Sequence, residues 1–183
     1  MATYATFLAS PGSAVSLFVS EEQRQVVESA FDVESAEPHW QMLYRGDPGD
    51  LDAGVATELV ENDLAVAQSL AKSERLELAS FSERLFGQGP AYGIWERRRL
   101  VAMGMTTLVL PGLARLGNIV TRSDYRRRGH ASAVVAALLR DHLAQGRSVF
   151  VVVDQANSAA VALFDSLGFT RERPMYAMGC VLR

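Results

Sequence analysis

Leu116-Gly117-Asn118-Ile119-Val120-Thr121-Arg122-Ser123-Asp124-Tyr125-Arg126-Arg127-Arg128-Gly129-His130-Ala131-Ser132 is the stretch that decides how this chain is read. Its first six residues read as a strand. A tight basic loop follows, with arginines at 122, 126, 127 and 128, and then a helix that runs to about Leu143. Helix N-termini present unpaired backbone N–H groups and the positive end of the macrodipole, so they bind anions. Gly129 lets the backbone approach a ligand closely, and Ala131 and Ser132 keep the first turn small. The stretch reads as a site for a polyphosphate, and a pyrophosphate first of all. A plainer reading fits the same residues: a solvated arginine run that precedes a helix.

Downstream, Val134, Val135, Leu138, Leu139 and Leu143 give the helix one apolar face, and Gly146 ends it. Ser148–Val153 is a nearly continuous apolar run, as in buried central strands. Asp154-Gln155-Ala156-Asn157 is a short loop. A second helix, Ser158–Leu167, turns Ala160, Val161, Phe164 and Leu167 to one side, with Gly168 as its C′ residue. A loop around Pro174 and a last strand, Met175–Leu182, close the chain. Upstream, Ala91–Glu96, Leu100–Leu110 and Arg115–Thr121 follow one another through the short turns Arg97-Arg98 and Pro111-Gly112-Leu113. This is the spacing of an antiparallel meander. Strand 115–121, helix 129–143 and strand 148–153 form a βαβ unit, which makes those two strands parallel. The fold class expected is α/β, in the form of a mixed α+β sheet.

The N-terminal part carries no chemistry that can be read. Residues 4–9 and 14–19 look like strands around a turn at Pro11-Gly12. A helix follows from Ser20, where Ser20 and Gln23 make a capping-box pattern, and His39–Tyr44 is another strand. Arg45-Gly46-Asp47-Pro48-Gly49-Asp50 is turn chemistry and the best boundary in the chain. It divides a small αβ extension, 1–50, from a main domain, 51–183. Past it, Ala56–Val60 reads as a strand and Asn62 as the cap of a helix with Leu64, Ala67, Leu70 and Ala71 inward. Ser80 and Glu83 repeat the capping-box pattern, with Gly87 as a stop.

The whole chain has 183 residues, 49% hydrophobic and 21% charged, enough for one domain with a proper core. A net charge of −3 disfavours a general nucleic-acid binder, and the loop lacks the series of aromatic residues interleaved with arginines that single-strand binding would need, Tyr125 standing alone there. A single cysteine, Cys180, excludes an intramolecular disulfide and a Cys-rich zinc site. His39, His130 and His142 show no metal-ligand spacing, so no metal is expected. No stretch approaches the roughly 20 apolar residues of a membrane span, and nothing at the N-terminus reads as a signal peptide. The expectation is a reduced, soluble, cytoplasmic protein.

Two patterns taken together resemble the GNAT superfamily of acyl-CoA N-acyltransferases. The phosphate-loop pattern of that family is met by Arg126, Gly129 and Ala131. Its later pattern is met by Asn157, Ala160, Leu163, Gly168 and Phe169, with Phe164 standing where a tyrosine is usual. The resemblance spans roughly 55–183, is most specific over 116–169, and looks nearest to glycine N-acyltransferase-like domains. Residues 1–50 would then be a degenerate N-terminal half. The resemblance implies acetyl-CoA as cosubstrate, its pantetheine arm lying between two parallel strands that splay apart. The arm's amides would pair with backbone of Ile119, Val120 and Thr121. The pyrophosphate would sit on the N–H groups of Arg127, Arg128, Gly129, His130, Ala131 and Ser132, with Arg126 adding charge. Asn157 would contact the cofactor from the next loop, although it also fits a plain N-cap. Phe164 would lie beside the cofactor, its place on the apolar stripe pointing to packing.

Acetyl transfer needs a neutral amine, a polarised thioester carbonyl and a proton for the leaving thiolate. Alignment alone lowers such a barrier by roughly 7–11 kcal/mol. That matters here, because the usual acid and base positions hold Phe164 and Gly117. A backbone N–H near Val120 or Thr121 could polarise the carbonyl. Tyr176, on the last strand, is the best substitute acid; it also reads as an ordinary strand tyrosine. Asn118 could orient a water that serves as base, or be a plain ladder residue, and Asp154 could do the same or turn its loop. Cys180 has no histidine placed to activate it. Met103, Met105, Met175 and Met178 read as core or pocket lining. The function expected is an acetyl-CoA-dependent N-acetyltransferase acting directly on the amine of a small or amino-acid-like acceptor. The rival is an acyl-CoA-binding regulatory or interaction protein that has lost the chemistry. The acceptor pocket is expected from 62–90 and the last hairpin, and the first fifty residues offer surface for a homodimer.

Overall fold

A computed structural model describes residues 14–76, 86 and 88–183. The expected strand 4–9, its Pro11-Gly12 turn, the Ser80/Glu83 capping box and the stop at Gly87 lie outside the described residues. The elements run β1 (Ala14–Val19), α1 (Glu21–Ala30), β2 (Phe31–Tyr44), β3 (Thr57–Glu58), α2 (Leu64–Ser73), β4 (Ala91–Glu96), β5 (Arg99–Leu110), β6 (Leu113–Thr121), α3 (His130–Ala144), β7 (Ser148–Asp154), α4 (Ser158–Ser166) and β8 (Phe169–Leu182). One sheet of eight strands is ordered β1-β8-β2-β7-β6-β5-β4-β3. β4, β5 and β6 form the antiparallel meander, and β6 pairs with β7 in parallel, as the βαβ reading requires. The fold is that mixed α+β sheet, with β1 and α1 at its N-terminal side.

The placement of β2 was not foreseeable. It lies between β7 and β8, antiparallel to both, so residues 31–44 interpose between strands that follow each other in the C-terminal half. β2 also begins directly at Phe31 rather than at His39. Its first half alternates Asp32, Glu34 and Glu37 with small residues and is exposed, which hides the strand from a hydrophobic pattern. The 45–50 turn does form where its chemistry indicates. Asp47 caps a short 3₁₀ turn, Pro48–Asp50, by accepting from Gly49 N–H at 2.8 Å.

Other boundaries move for local reasons. The loop expected around Pro174 is strand, since β8 starts at Phe169 and runs through. β1 pairs only with 176–181, so Pro174 meets no β1 residue and its missing N–H leaves no ladder bond broken there. Asn62 is not the cap of α2. It sits inside a 3₁₀ turn, Glu61–Asp63, closed by Val60 N–H donating to Asp63 Oδ2 at 3.0 Å. The strand expected at 56–60 is only Thr57–Glu58. The capping box of α1 is made, with Ser20 N–H donating to Gln23 Oε1 at 3.0 Å.

Successive residues of β5 point to opposite faces. Ala102, Gly104 and Thr106 meet α3, while Met103 and Met105 meet Ala67, Leu70 and Ala71 of α2. On the α3 face, Val134, Leu138 and Leu139 are fully buried against Val101, Leu116, Val149 and Val151, and Phe164 of α4 joins them. Each such side chain contributes about 1.5–3 kcal/mol, which is why α3 forms and docks here. Val27 of α1 packs on Met178 and Cys180.

Candidate active site

The parallel pairing of β6 with β7 lasts for three residue pairs, Leu113–Ser148, Ala114–Val149 and Arg115–Phe150. Beyond Arg115 the two strands part. Each stays paired on its outer edge, β6 to β5 and β7 to β2, so their facing backbone edges open onto a gap. A bulge helps to separate them. Met103 pairs with Val120 and Met105 with Gly117, so Asn118 and Ile119 together stand opposite Gly104. Asn118 takes a positive φ of 51°. Such a bulge bends and twists its strand.

The gap is a cavity of about 690 Å³. Leu116–Thr121 line one wall and Val151–Asp154 the other. Tyr125, Arg126, Arg127, Gly129, His130, Ala131 and Ser132 close one end, while Asn157, Ala160, Leu163 and Phe164 bring α4 to it. Glu74, Arg75 and Leu76 approach from the end of α2. The loop ahead of α3 is built by local rules. Ser123–Tyr125 is a 3₁₀ turn, Arg127 has φ 60°, and Gly129 is left-handed at φ 79°. A Cβ on Gly129 would meet nothing within 4 Å, so the glycine is required by its dihedral rather than by space. The first bond of α3 is Ala133 N–H to the Gly129 carbonyl at 3.0 Å. The N–H groups of Gly129 to Ser132 therefore precede the helical ladder and point at the cavity end.

Each anticipated residue has a definite place. Ile119, Val120, Thr121, Arg126, Arg127, Gly129, His130, Ala131, Ser132, Asn157 and Phe164 all line the cavity. Arg128 does not; its guanidinium stacks 4.9 Å above the Tyr125 ring and reaches Glu96 at 3.9 Å. Arg126 lines the cavity but its guanidinium is engaged, donating to the Thr121 carbonyl at 3.1 Å and to Glu74 at 2.8 Å. Asn157 is the N-cap of α4, its Oδ1 accepting from Ala160 N–H at 3.0 Å, so the cap and the cavity position coexist. Phe164 packs edge-on against Phe169, ring centres 5.1 Å apart. Asn118 donates from Nδ2 to Met105 Sδ at 3.4 Å. Asp154 turns its loop by accepting from Ala156 N–H.

Tyr176 is not brought to this cavity. It pairs with Val19 and Pro38, packs beside Val27 and Met178, and lies under the Arg24 guanidinium at 5.1 Å. Two strands, β2 and β7, separate β8 from the gap, because the interposed β2 takes the place beside β7. The acid role expected of Tyr176 therefore has no geometric support. Cys180 is buried and burial pushes its thiol up, which keeps it protonated and unreactive. The four methionines are core residues, all buried.

Two buried polar atoms in the cavity wall, Thr121 Oγ1 and His130 Nε2, make no hydrogen bond among the described residues. His130 Nε2 does lie 3.0 Å from Glu96 Oε1. With Glu96 beside His130, Thr121 Oγ1 is the one of the two left unpartnered among the described residues. Open strand edges and free helical N–H groups next to it are what a long polar ligand with an anionic end would satisfy. Glu74, Leu76 and Glu96 were not singled out from the sequence, and of the wall Val151–Asp154 only Asp154 was named as a side chain. Glu74 is 52 residues from its partner Arg126, and no local pattern links them. The wall of β7 reads as core because its residues are apolar.

A family model described as FR47-like protein matches residues 91–177. The chain is 30% identical over 119 residues to the [Ribosomal protein bS18]-alanine N-acetyltransferase of Escherichia coli K12, covering 62% of this chain and 78% of that one. This chain belongs to the GNAT superfamily of acetyltransferases. Among solved GNAT structures, a putative acetyltransferase from Novosphingobium aromaticivorans superposes with TM-score 0.82 at 24% identity, covering 96% of this chain and 77% of that one. An aminoglycoside N-acetyltransferase in complex with CoA superposes with TM-score 0.54 at 17% identity, over 64% of this chain and 89% of that one. These likenesses show the GNAT fold. Acetyl-CoA is the cosubstrate that membership of the superfamily implies, and the parted strands and the α3 N-terminus fit it.

Proposed function

We propose that this GNAT enzyme transfers the acetyl group of acetyl-CoA directly to the amine of a small, amino-acid-like acceptor in the cytoplasm. One observation carries the reading: β6 and β7 stop pairing after Arg115, and the gap they leave ends on the N-terminus of α3. When bound, acetyl-CoA supplies an acyl thioester open to attack by a neutral amine. The strand edges of Ile119, Val120 and Thr121 would pair with the pantetheine amides. Arg127 and the N–H groups of Gly129, His130, Ala131 and Ser132 would hold the pyrophosphate, and Arg126 and Arg128 would add charge from second-line positions. Asn157 and Phe164 would border the arm. A backbone N–H near Val120 or Thr121 would polarise the carbonyl, and Asn118 would orient a water that takes the amine proton. Within the superfamily, the motif residues Arg126, Gly129, Ala131, Asn157, Gly168 and Phe169 support a likeness to glycine N-acyltransferase-like domains.

A second reading, an acyl-CoA-binding regulatory protein without turnover, is favoured by Gly117 and Phe164, which bring neither base nor acid to the cavity. The two separate in one experiment. Calorimetry with acetyl-CoA and CoA release over an amine panel are measured on the same preparation. The enzyme reading expects both binding and release, and binding without release for any amine favours the second. Arg127→Ala is expected to weaken acetyl-CoA binding about tenfold, the scale of one charge-assisted hydrogen bond. Unchanged binding would remove the phosphate-loop assignment.

A further inference from the structure

Arg115 stands where β6 and β7 part, opposite Phe150 in the last parallel pair. Strand alternation puts its side chain on the face of Gly117, the face that carries α2. Thr107 is on that face too, its methyl 2.8 Å from where a Gly117 Cβ would be. Arg115 Nε donates to Thr107 Oγ1 at 2.8 Å, and the Thr107 hydroxyl donates to the Arg115 carbonyl at 3.3 Å. The guanidinium carbon lies 5.3 Å from the centre of the Phe18 ring. The group is thus held at its Nε end and against an aromatic face. Its Nη donors make no hydrogen bond among the described residues.

Its charge is the unusual part. Arg126, Arg128 and Arg171 are exposed, and each pairs with a carboxylate. Arg115 is half-buried and pairs with none among the described residues. Burial holds it below its ordinary pKa, as for a cation taken from water without an acid to offset it. A desolvated charge without a partner is costly, and a ligand of opposite charge would offset that cost. A guanidinium fork matches a carboxylate in shape as well as charge. From Arg115 to Asn118 the strand advances about 10 Å, the scale of one small acceptor molecule.

We propose that Arg115 anchors a carboxylate of the acceptor: the amine acetylated by this enzyme belongs to a free amino acid or a similar small amino acid-type acid. The Nη groups hold that carboxylate on the α2 face while the amine reaches the gap beside Asn118. This rests on the acetyltransferase reading above. The full chain is assayed for CoA release with the standard amino acids and with the carboxamide of each, and acetyl-CoA binding is measured by calorimetry. The native chain is expected to prefer an acid over its amide by about 100-fold in kcat/KM. Arg115→Met is expected to abolish that preference by raising KM for the acid, leaving the rate with the amide within about threefold. Arg115→Lys, which keeps the charge but not the fork, is expected to retain about a tenfold preference. Equal use of acid and amide, a preference that survives Arg115→Met, or acetyl-CoA binding with no amino acid turned over would each overturn the assignment. Failure to bind acetyl-CoA would instead overturn the transferase reading. If Arg115→Met does not fold, as judged by circular dichroism, Arg115→Lys decides, and an unchanged preference in it overturns the proposal.

Discussion

Arg126 and Glu74 join the loop ahead of α3 to the residue that ends α2. The guanidinium donates to Glu74 Oε2 at 2.8 Å, and the Glu74 side chain is only 8% exposed. Glu74 thereby places a negative charge in the wall of the cavity proposed above to hold acetyl-CoA. Glu74→Gln removes that charge and keeps the shape. Acetyl-CoA is expected to bind about 2–5-fold more tightly at low salt, with the gain shrinking as salt rises. Arg126→Ala leaves the carboxylate uncompensated and is expected to weaken binding roughly tenfold. The double change should recover most of that loss, and calorimetry on the four proteins measures the coupling.

Gly129 is left-handed with open space around its Cα. Gly129→Ala therefore tests conformation alone. It is expected to cost about 1–2 kcal/mol of stability, because an L-residue is strained there. Gly129→Asn should cost less, since asparagine tolerates this region. Chemical denaturation of the two variants gives the comparison, and equal losses would point to contacts rather than dihedral strain.

Gly117 and Thr107 fit each other. An added methyl at 117 would meet Thr107 Cγ2 at 2.8 Å. Gly117→Ala is expected to destabilise by about 1–3 kcal/mol through overpacking. Thr107→Ser removes the offending methyl and keeps the hydroxyl bonded to Arg115. In the Thr107→Ser background the cost of Gly117→Ala should fall by at least half, which a double-mutant cycle reads directly.

His142 is fully buried on α3, with Nε2 2.8 Å from Thr106 Oγ1 and Nδ1 3.3 Å from an Arg147 nitrogen. Thr106 Oγ1 donates to the Pro90 carbonyl, so the histidine donates from Nε2, and Arg147 donates to Nδ1. The ring is held neutral. Burial first, and then the Arg147 charge, push its pKa below the ordinary 6.5. Above about pH 7 the ring is neutral in both folded and unfolded chains and adds no pH dependence. As pH falls through 6.5 the unfolded chain takes up the proton and the folded one resists it, so stability declines until the folded pKa is passed. The slope approaches about 1.4 kcal/mol per pH unit at most. Melting temperatures from pH 8 to pH 5 should fall in the native protein and fall less in His142→Gln.

What the residues alone determined was local. The 3.6-residue pattern of Val134, Val135, Leu138 and Leu139, the short turns of the meander, and Gly129 and Gly168 at helix ends each act over a few positions, so α3, β6, β7, α4 and the loop ahead of α3 were legible without coordinates. The helix that joins them then made β6 and β7 a parallel βαβ pair. What only the tertiary structure decided depends on pairs far apart in the chain. The insertion of β2 beside β7 removed Tyr176 from the cavity, because strand order is set by which edges find each other, not by sequence neighbours. The Glu74–Arg126 pair, the turning away of Arg128 toward Tyr125, and the contacts of Arg115 with Thr107 and Phe18 are likewise products of side chains meeting across the sheet. The loop ahead of α3 is set by local backbone geometry, whereas the side chains around the parted strands are set by long-range contacts that no short pattern encodes.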